Sequence, residues 1–252
     1  MNLNIYSPVE QFAIICYLRF NLGLFDFSWT NSSLYLSIIA LLLFLFSTIL
    51  FIQGGLFVPS RWQLVLEGVY EFITGLIDQQ IGLEGKPYFF LIFAVFLTIL
   101  LANLIGMVPY GFTTTSHLAV TVGFSLSLLI GITIMGFQKH GLHFLSFFLP
   151  KGVPLALGSL LVLIEIVSYL SRPISLGVRL FANMMAGHIL LHILSGFAYA
   201  SFCAGGVLML AGIFPFLAVI AVTLLEFLVA CLQAYVLTTL IAIYMHDSIA
   251  LH

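Results

Sequence analysis

Charge is scarce in this sequence. Only 6% of its 252 residues are Asp, Glu, Lys or Arg, and 62% are hydrophobic. Soluble domains carry about 25% charged residues, so this chain cannot clothe a water-facing surface. The 7 basic residues form no run, so no nucleic-acid partner is expected. Cysteine is rare too. Cys16, Cys203 and Cys231 are odd in number and widely spaced, unsuited to a disulfide framework and read as small buried apolar residues. The chain lacks a Gly-rich phosphate loop, a nucleophile elbow and a CxxC pair, so it is not expected to act as an enzyme by itself. Its first apolar run, Phe12 to Leu18, is short and follows Glu10, so no cleavable signal is expected. The mean hydropathy of +1.23 belongs to a polytopic membrane protein.

What is present is long apolar sequence. Residues 1–33 mix Pro8, Glu10, Arg19 and Asp26 with apolar side chains, and an interfacial tail with a short helix is expected there. Residues 34–57 suffice for a first transmembrane helix across a ~30 Å hydrocarbon core, ended by Gly54, Gly55 and Pro59. Over 61–80, Leu64, Val65, Gly68, Phe72, Leu76 and Ile77 recur at helical spacing against polar Arg61, Glu67, Glu71 and Asp78. That pattern predicts an amphipathic helix on the membrane surface or against a partner. Residues 88–108 and 118–137 read as two further transmembrane helices. Asn103, Ser125 and Ser127 within them are expected to make helix–helix hydrogen bonds. Gly141, Pro150, Gly152 and Pro154 exclude a regular helix between Lys139 and Pro154.

Segments 155–196 and 207–245 are each on the order of 60 Å long if helical, twice one perpendicular crossing. Either each folds back on itself or each is a strongly tilted helix. Pro173 and Pro215 permit kinks, but no turn cluster marks either midpoint, which favours tilt. The fold class is therefore an all-α polytopic membrane protein in one domain, 1–252. It has about five membrane-embedded helices, the last two a long tilted antiparallel hairpin, plus one amphipathic surface helix. Arg61, Lys86, Lys139 and Lys151 fall on one side and Arg19 on the other. That bias puts the N-terminus outside and the C-terminus inside.

Ionised side chains inside these segments cost roughly 2.5–3.5 kcal/mol each on insertion scales and mark ion paths by default. If the last two segments are antiparallel, setting Arg179 level with Gln233 places Glu165 level with Asp247 and His188 close to Glu226. Carboxylates and imidazole exchange protons with water, whereas arginine stays charged. A guanidinium between two titratable levels would break a continuous proton wire and attract a carboxylate presented by another subunit. Each residue also has a plainer use. Arg172 could pair with Glu165 as a supporting charge, Asn183 could join helices, and Asp247 could sit in a solvated tail. His188 and His192, at i and i+4, could bind a structural Zn²⁺ with Glu226 as a further ligand. No other cofactor is implied.

The motifs SPVEQF (7–12), ANLIGMVPY (102–110), SLGVRLFANMMAGH (175–188), LLEFLVACLQAYV (224–236) and IYMHDSIALH (243–252) resemble those of the F-type ATP synthase a-subunit family, in a mitochondrial form. The resemblance implies a stationary proton-channel subunit beside a ring of c subunits, with peripheral-stalk and other membrane-sector subunits and lipid as further partners. It implies that Arg179 faces the ring and separates two half-channels. His188, Glu226, Asn183 and Gln233 would line entry from the intermembrane space, and Glu165 and Asp247 exit to the matrix. It also implies that the 61–80 helix lies near the matrix surface. The location would be the mitochondrial inner membrane or, in a bacterial relative, the plasma membrane. A secondary transporter binding an anionic solute at Arg179 is the alternative, but transporters commonly carry internal repeats, and the Arg179 stretch has no second copy. A purely structural scaffold would leave the aligned polar levels unexplained.

Overall fold

In lipid, a peptide group without an internal partner costs several kcal/mol, so an apolar chain spans as helix. The computed structural model describes residues 9–19, 21–22, 25–26, 28–52, 61–108, 111–148 and 155–249. Pro8, Gly54, Gly55, Pro59, Pro150, Lys151, Gly152 and Pro154, on which some expectations rested, lie outside them. The helices are α1 (Asn31–Ile52), α2 (Arg61–Gln80), α3 (Phe89–Gly106), α4 (Leu118–His140), α5 (Leu155–Ala204), α6 (Val207–Ala211) and α7 (Ile213–Ile249). Among the described residues, Glu84–Gly106, Leu118–His140, Leu160–Ala204 and Met209–Ile249 are long and apolar enough to cross a membrane, and Asn31–Phe46 forms a shorter apolar helix. The protein is an all-α polytopic membrane protein. Its contacts group into two units. The first contains Met1–Leu41, Leu100–His117 and Leu180–Gln233, and the second Leu42–Ile99, Leu118–Arg179 and Ala234–His252.

In the first unit, the tail is not the interfacial helix expected. Beyond a 3-10 turn at Glu10–Phe12 it forms short strands: β1 (Cys16–Leu18), β2 (Asn21–Leu22), β3 (Phe25–Asp26) and β4 (Trp29–Thr30). Strand β1 pairs antiparallel with β4, and β2 with β3. Ile14, Ile15, Tyr17, Trp29 and Thr30 are β-branched or aromatic and suit extended backbone. Asn31 then fixes the chain: its amide donates to the Ala13 carbonyl at 3.0 Å, and its oxygen accepts from the Ile15 N–H at 3.3 Å. Helix α1 begins at Asn31 rather than 34 because Thr30 and Ser33 cap each other reciprocally, Thr30 N–H donating to Ser33 Oγ at 2.9 Å and Ser33 N–H to Thr30 Oγ1 at 3.4 Å.

Also in this unit, α5 runs on past residue 196 until Gly205 and Gly206, whose φ of +69° and +61° only glycine adopts cheaply. The 207–245 segment divides at Gly212 rather than bending at Pro215. A Cβ on Gly212 would lie 2.8 Å from Ser201 Oγ. Pro215 falls in the first turn of α7, where backbone N–H groups have no helical partner to lose.

In the second unit, α2 buries Gln63, Leu66, Ile73, Leu76 and Ile77. Leu64, Val65 and Phe72 are exposed, as an apolar face turned to a membrane surface or a partner would be. The packed stripe is the one through 66, 73 and 77, one helical face at spacings of seven and four. Phe72 still meets the rings of Phe96 at 5.6 Å and Tyr235 at 5.8 Å. Beyond α4, Gly141 (φ +58°) opens a 3-10 run, Gly141–Phe148, that buries Phe144. Lys139 reaches Glu84 at 2.6 Å, and a His140 ring nitrogen lies 3.0 Å from the Ile249 carbonyl at the end of α7.

Helices α4 and α5 meet backbone to backbone in this unit. A Cβ on Gly177 would sit 2.8 Å from Val122 Cα and 3.0 Å from the Thr121 carbonyl. Backbone cannot yield as a side-chain tip can, so Gly177→Ala is expected to destabilise by about 1–3 kcal/mol. A lowered thermal midpoint of the purified protein checks this.

Ser125 and Ser127 do not bridge helices. They donate to the Thr121 and Phe124 carbonyls of their own helix at 2.9 and 2.7 Å, the back-bonding that hydroxyls adopt mid-helix. Asn103 does bridge helices: its amide donates to the Ala230 carbonyl of α7 at 3.2 Å in the first unit. Thr133 Oγ1 and the Tyr169 hydroxyl, 2.9 Å apart, join α4 to α5 in the second. The cysteines also depart from expectation. Cys16 and Cys203 are exposed and Cys231 is half-buried. In lipid an exposed thiol, like the exposed Leu163 or Phe214, incurs no hydrophobic penalty, and helices associate through packing and polar contacts instead.

Candidate functional site

Polar side chains gather in each unit. In the first, Glu226 projects from α7 and is only 4% exposed. Neither carboxylate oxygen has a hydrogen-bond partner among the described residues. Its approach to α5 depends on Gly187, where a Cβ would lie 2.7 Å from Oε1. The adjacent His188 brings Nε2 to 3.5 Å from the same oxygen and to 3.0 Å from Thr113 Oγ1. Phe12 meets the imidazole edge-on at 6.3 Å. From the contact of Ser201 with Gly212, just before α7, to that of His188 with Glu226, the chain steps back 13 residues on α5 and forward 14 into α7, so the two run antiparallel here. Asn183 is half-buried and Gln233 buried in the same unit. The buried turn Thr113–Ser116 leads to His117, where partial burial pushes the imidazole pKa below its ordinary value.

In the second unit Arg172 is the hub. Its guanidinium lies 3.6 Å from Glu165 Oε1, 3.9 Å from Asp247 Oδ2 and 5.4 Å from the Tyr244 ring centre. Glu165 and Asp247 therefore meet through Arg172 rather than directly. Helix α5 continues through Pro173, which keeps Glu165 and Arg172, seven residues apart, on one face. All three charged groups are half-buried. Both separations exceed hydrogen-bond length, so these contacts are electrostatic.

Arg179 contrasts with Arg172. It is exposed on α5, and its guanidinium has no hydrogen bond or ion pair among the described residues. It lies nine residues before His188 and fourteen after Glu165 on the same helix. Among the described residues no group of three His, Cys, Asp or Glu side chains is placed to hold a metal ion. His192, a turn beyond His188, is exposed.

In each unit, then, ionisable side chains gather within apolar helices, Glu226 with His188 in the first and Arg172 with Glu165 and Asp247 in the second. Residues 33–246 match the family model of the ATP synthase A chain. The chain belongs to the ATP synthase subunit a family. It is 51% identical to ATP synthase subunit a of Marchantia polymorpha over 98% of this chain and 99% of the relative. The Brassica napus protein of that name is 50% identical (98% and 97% covered), and that of Paramagnetospirillum magneticum 44% (98% and 99%). As a subunit a, it is the proton-translocating, non-catalytic component of the ATP synthase membrane sector. This sets aside the solute transporter. Sequence reasoning missed Thr113, Gly187 and Tyr244. The available signals were a run of hydroxyls between two spans, a glycine beside a membrane histidine and an aromatic one turn from Arg172's acid.

Proposed function

We propose that this subunit a carries protons through two offset half-channels separated by Arg179. His188, Glu226, Asn183 and Gln233 form the outer path, which loads a c-ring carboxylate. Glu165 and Asp247, with Arg172 as their supporting charge, form the inner path, which unloads it. The observation that carries this reading is Glu226, buried without a hydrogen bond and 3.5 Å from His188. Such a group inside a membrane segment is retained for ion movement rather than for stability.

Arg179 supplies the separator. Ser175, one turn before it on α5, is small and exposed and shares its face, which lets a partner helix approach the guanidinium. Ring carboxylates deprotonate beside it, and each translocated charge carries about 2.3 kcal/mol per 100 mV of membrane potential. Peripheral-stalk and other membrane-sector subunits hold the chain stationary. The complex resides in the mitochondrial inner membrane, N-terminus in the intermembrane space and C-terminus in the matrix, as the basic residues Arg61, Lys86 and Lys139 favour.

Glu226→Gln tests the outer path. In vesicles holding the assembled complex, ATP-driven proton pumping is expected to fall roughly 100-fold, the scale of a positioned proton-transfer group, with normal ATP hydrolysis by the detached catalytic sector. Undiminished pumping would overturn the role.

A further inference from the structure

We infer that Thr113 is a positioning residue of the outer path: its hydroxyl holds His188 Nε2 toward Glu226 before and after the proton leaves. The inference rests on the reading of His188 and Glu226 given above. Thr113 is 3% exposed, and its Oγ1 has two neighbours, the Gly106 carbonyl at 3.3 Å and His188 Nε2 at 3.0 Å. A hydroxyl has one hydrogen to donate and lone pairs to accept with. The carbonyl only accepts. When Nε2 carries hydrogen, it donates to Oγ1, and the threonine hydrogen goes to Gly106. When Nε2 is bare, the hydroxyl turns and donates to Nε2. The ring keeps one partner in either state.

The surroundings are built to seat this side chain. A Cβ on Gly106 would come 2.6 Å from Thr113 Cγ2, so glycine there makes the space. Ser116 closes the turn, its hydroxyl donating to the Thr113 carbonyl at 2.7 Å. Asn103, one turn before Gly106, ties α3 to the Ala230 carbonyl, one turn beyond Glu226 on α7. The hydroxyl and the carboxylate are thus referenced to the same pair of helices.

The step balances without another reactant. A small rotation of the ring turns the Nε2 hydrogen of the imidazolium from Thr113 Oγ1 to Glu226 Oε1, and the Nε2–H bond then breaks as an Oε1–H bond forms. The imidazolium becomes neutral imidazole with hydrogen on Nδ1, the carboxylate becomes a neutral acid, and the threonine hydrogen only changes acceptor. Small rotations of ring and carboxylate close the 3.5 Å separation.

The test uses the complete complex in native membranes, with its assembled amount measured in each variant. Thr113→Val keeps the shape and removes the hydroxyl, and proton pumping is expected to fall roughly tenfold, the scale of one lost hydrogen bond to a charged group. Thr113→Ser, which keeps the hydroxyl and loses the methyl, should restore most of it. A purely packing role predicts the reverse order, and that order, or equal rates in valine and wild type, overturns the inference. If the valine variant does not assemble, Thr113→Ala against Thr113→Ser decides by the same criterion, equal rates counting against the hydroxyl. His188→Gln run in parallel separates the two layers. Unimpaired pumping there sinks the outer-path reading itself, whereas loss in His188→Gln with none in Thr113→Val sinks only the role of Thr113.

Discussion

Replacing Arg179 with alanine should abolish ATP-driven proton pumping in vesicles holding the assembled complex. Coupling requires a fixed positive charge that a ring carboxylate must meet but that no proton can cross. Arginine alone meets this condition, since the guanidinium stays charged at every physiological pH. Arg172 cannot substitute, because Glu165 and Asp247 already flank it, whereas Arg179 is exposed and unpaired among the described residues. Arg179→Lys keeps a charge but loses the planar fork and gains a group that can release its proton. It should retain only a small fraction of the activity. Alanine should do more than stop the motor: with no barrier between the paths, the vesicles should leak protons passively when a potential is applied. Dye quenching on ATP addition reads the first effect and proton uptake under an imposed potential the second. Normal coupled pumping in the alanine variant would remove Arg179 from the mechanism.

The helices were legible because lipid leaves an apolar chain little choice. Any long run must satisfy its backbone internally, so composition alone announces α3, α4, α5 and α7. The hydrocarbon also erases information. On α2 positions 64, 65, 68, 72, 76 and 77 read as one apolar face, but 76 and 77 are buried together with 66 and 73 while 64, 65 and 72 stay exposed. Only packing distinguishes them. The tail misled for a different reason. Its strands are stabilised by Asn31, a side chain reaching back to residues 13 and 15, and no local periodicity records such a contact. His188 and Glu226 could be placed near each other by counting along two antiparallel segments, a property of sequence order. Thr113, 75 residues before His188, could not, because its position depends on the turn after α3. Arg172 was readable as a supporting charge, but its reach to Asp247 as well as Glu165 required coordinates.

Gly187→Ala should separate function from stability more cleanly than any substitution of a charged residue. The new methyl would stand 2.7 Å from Glu226 Oε1 and 3.0 Å from its Cδ. Those atoms are the far end of a flexible side chain, so the carboxylate yields and the helices stay. Alanine also favours helix over glycine by about 1 kcal/mol. The thermal midpoint of the purified complex is therefore expected to hold or rise, opposite to Gly177→Ala, whose methyl meets the backbone of Val122. Proton pumping should nevertheless drop roughly tenfold or more, because displacement of about 1 Å in a proton-transfer pair is enough to spoil its geometry. Shortening the acid provides the internal control. Glu226→Asp alone withdraws the carboxylate from His188 and should be slow. Combined with Gly187→Ala, the shorter acid escapes the clash, so the double variant should lose much less than the two single losses multiplied. Multiplicative losses would mean that Gly187 and Glu226 act independently, and full activity in Gly187→Ala would mean that the position of the carboxylate does not limit proton entry.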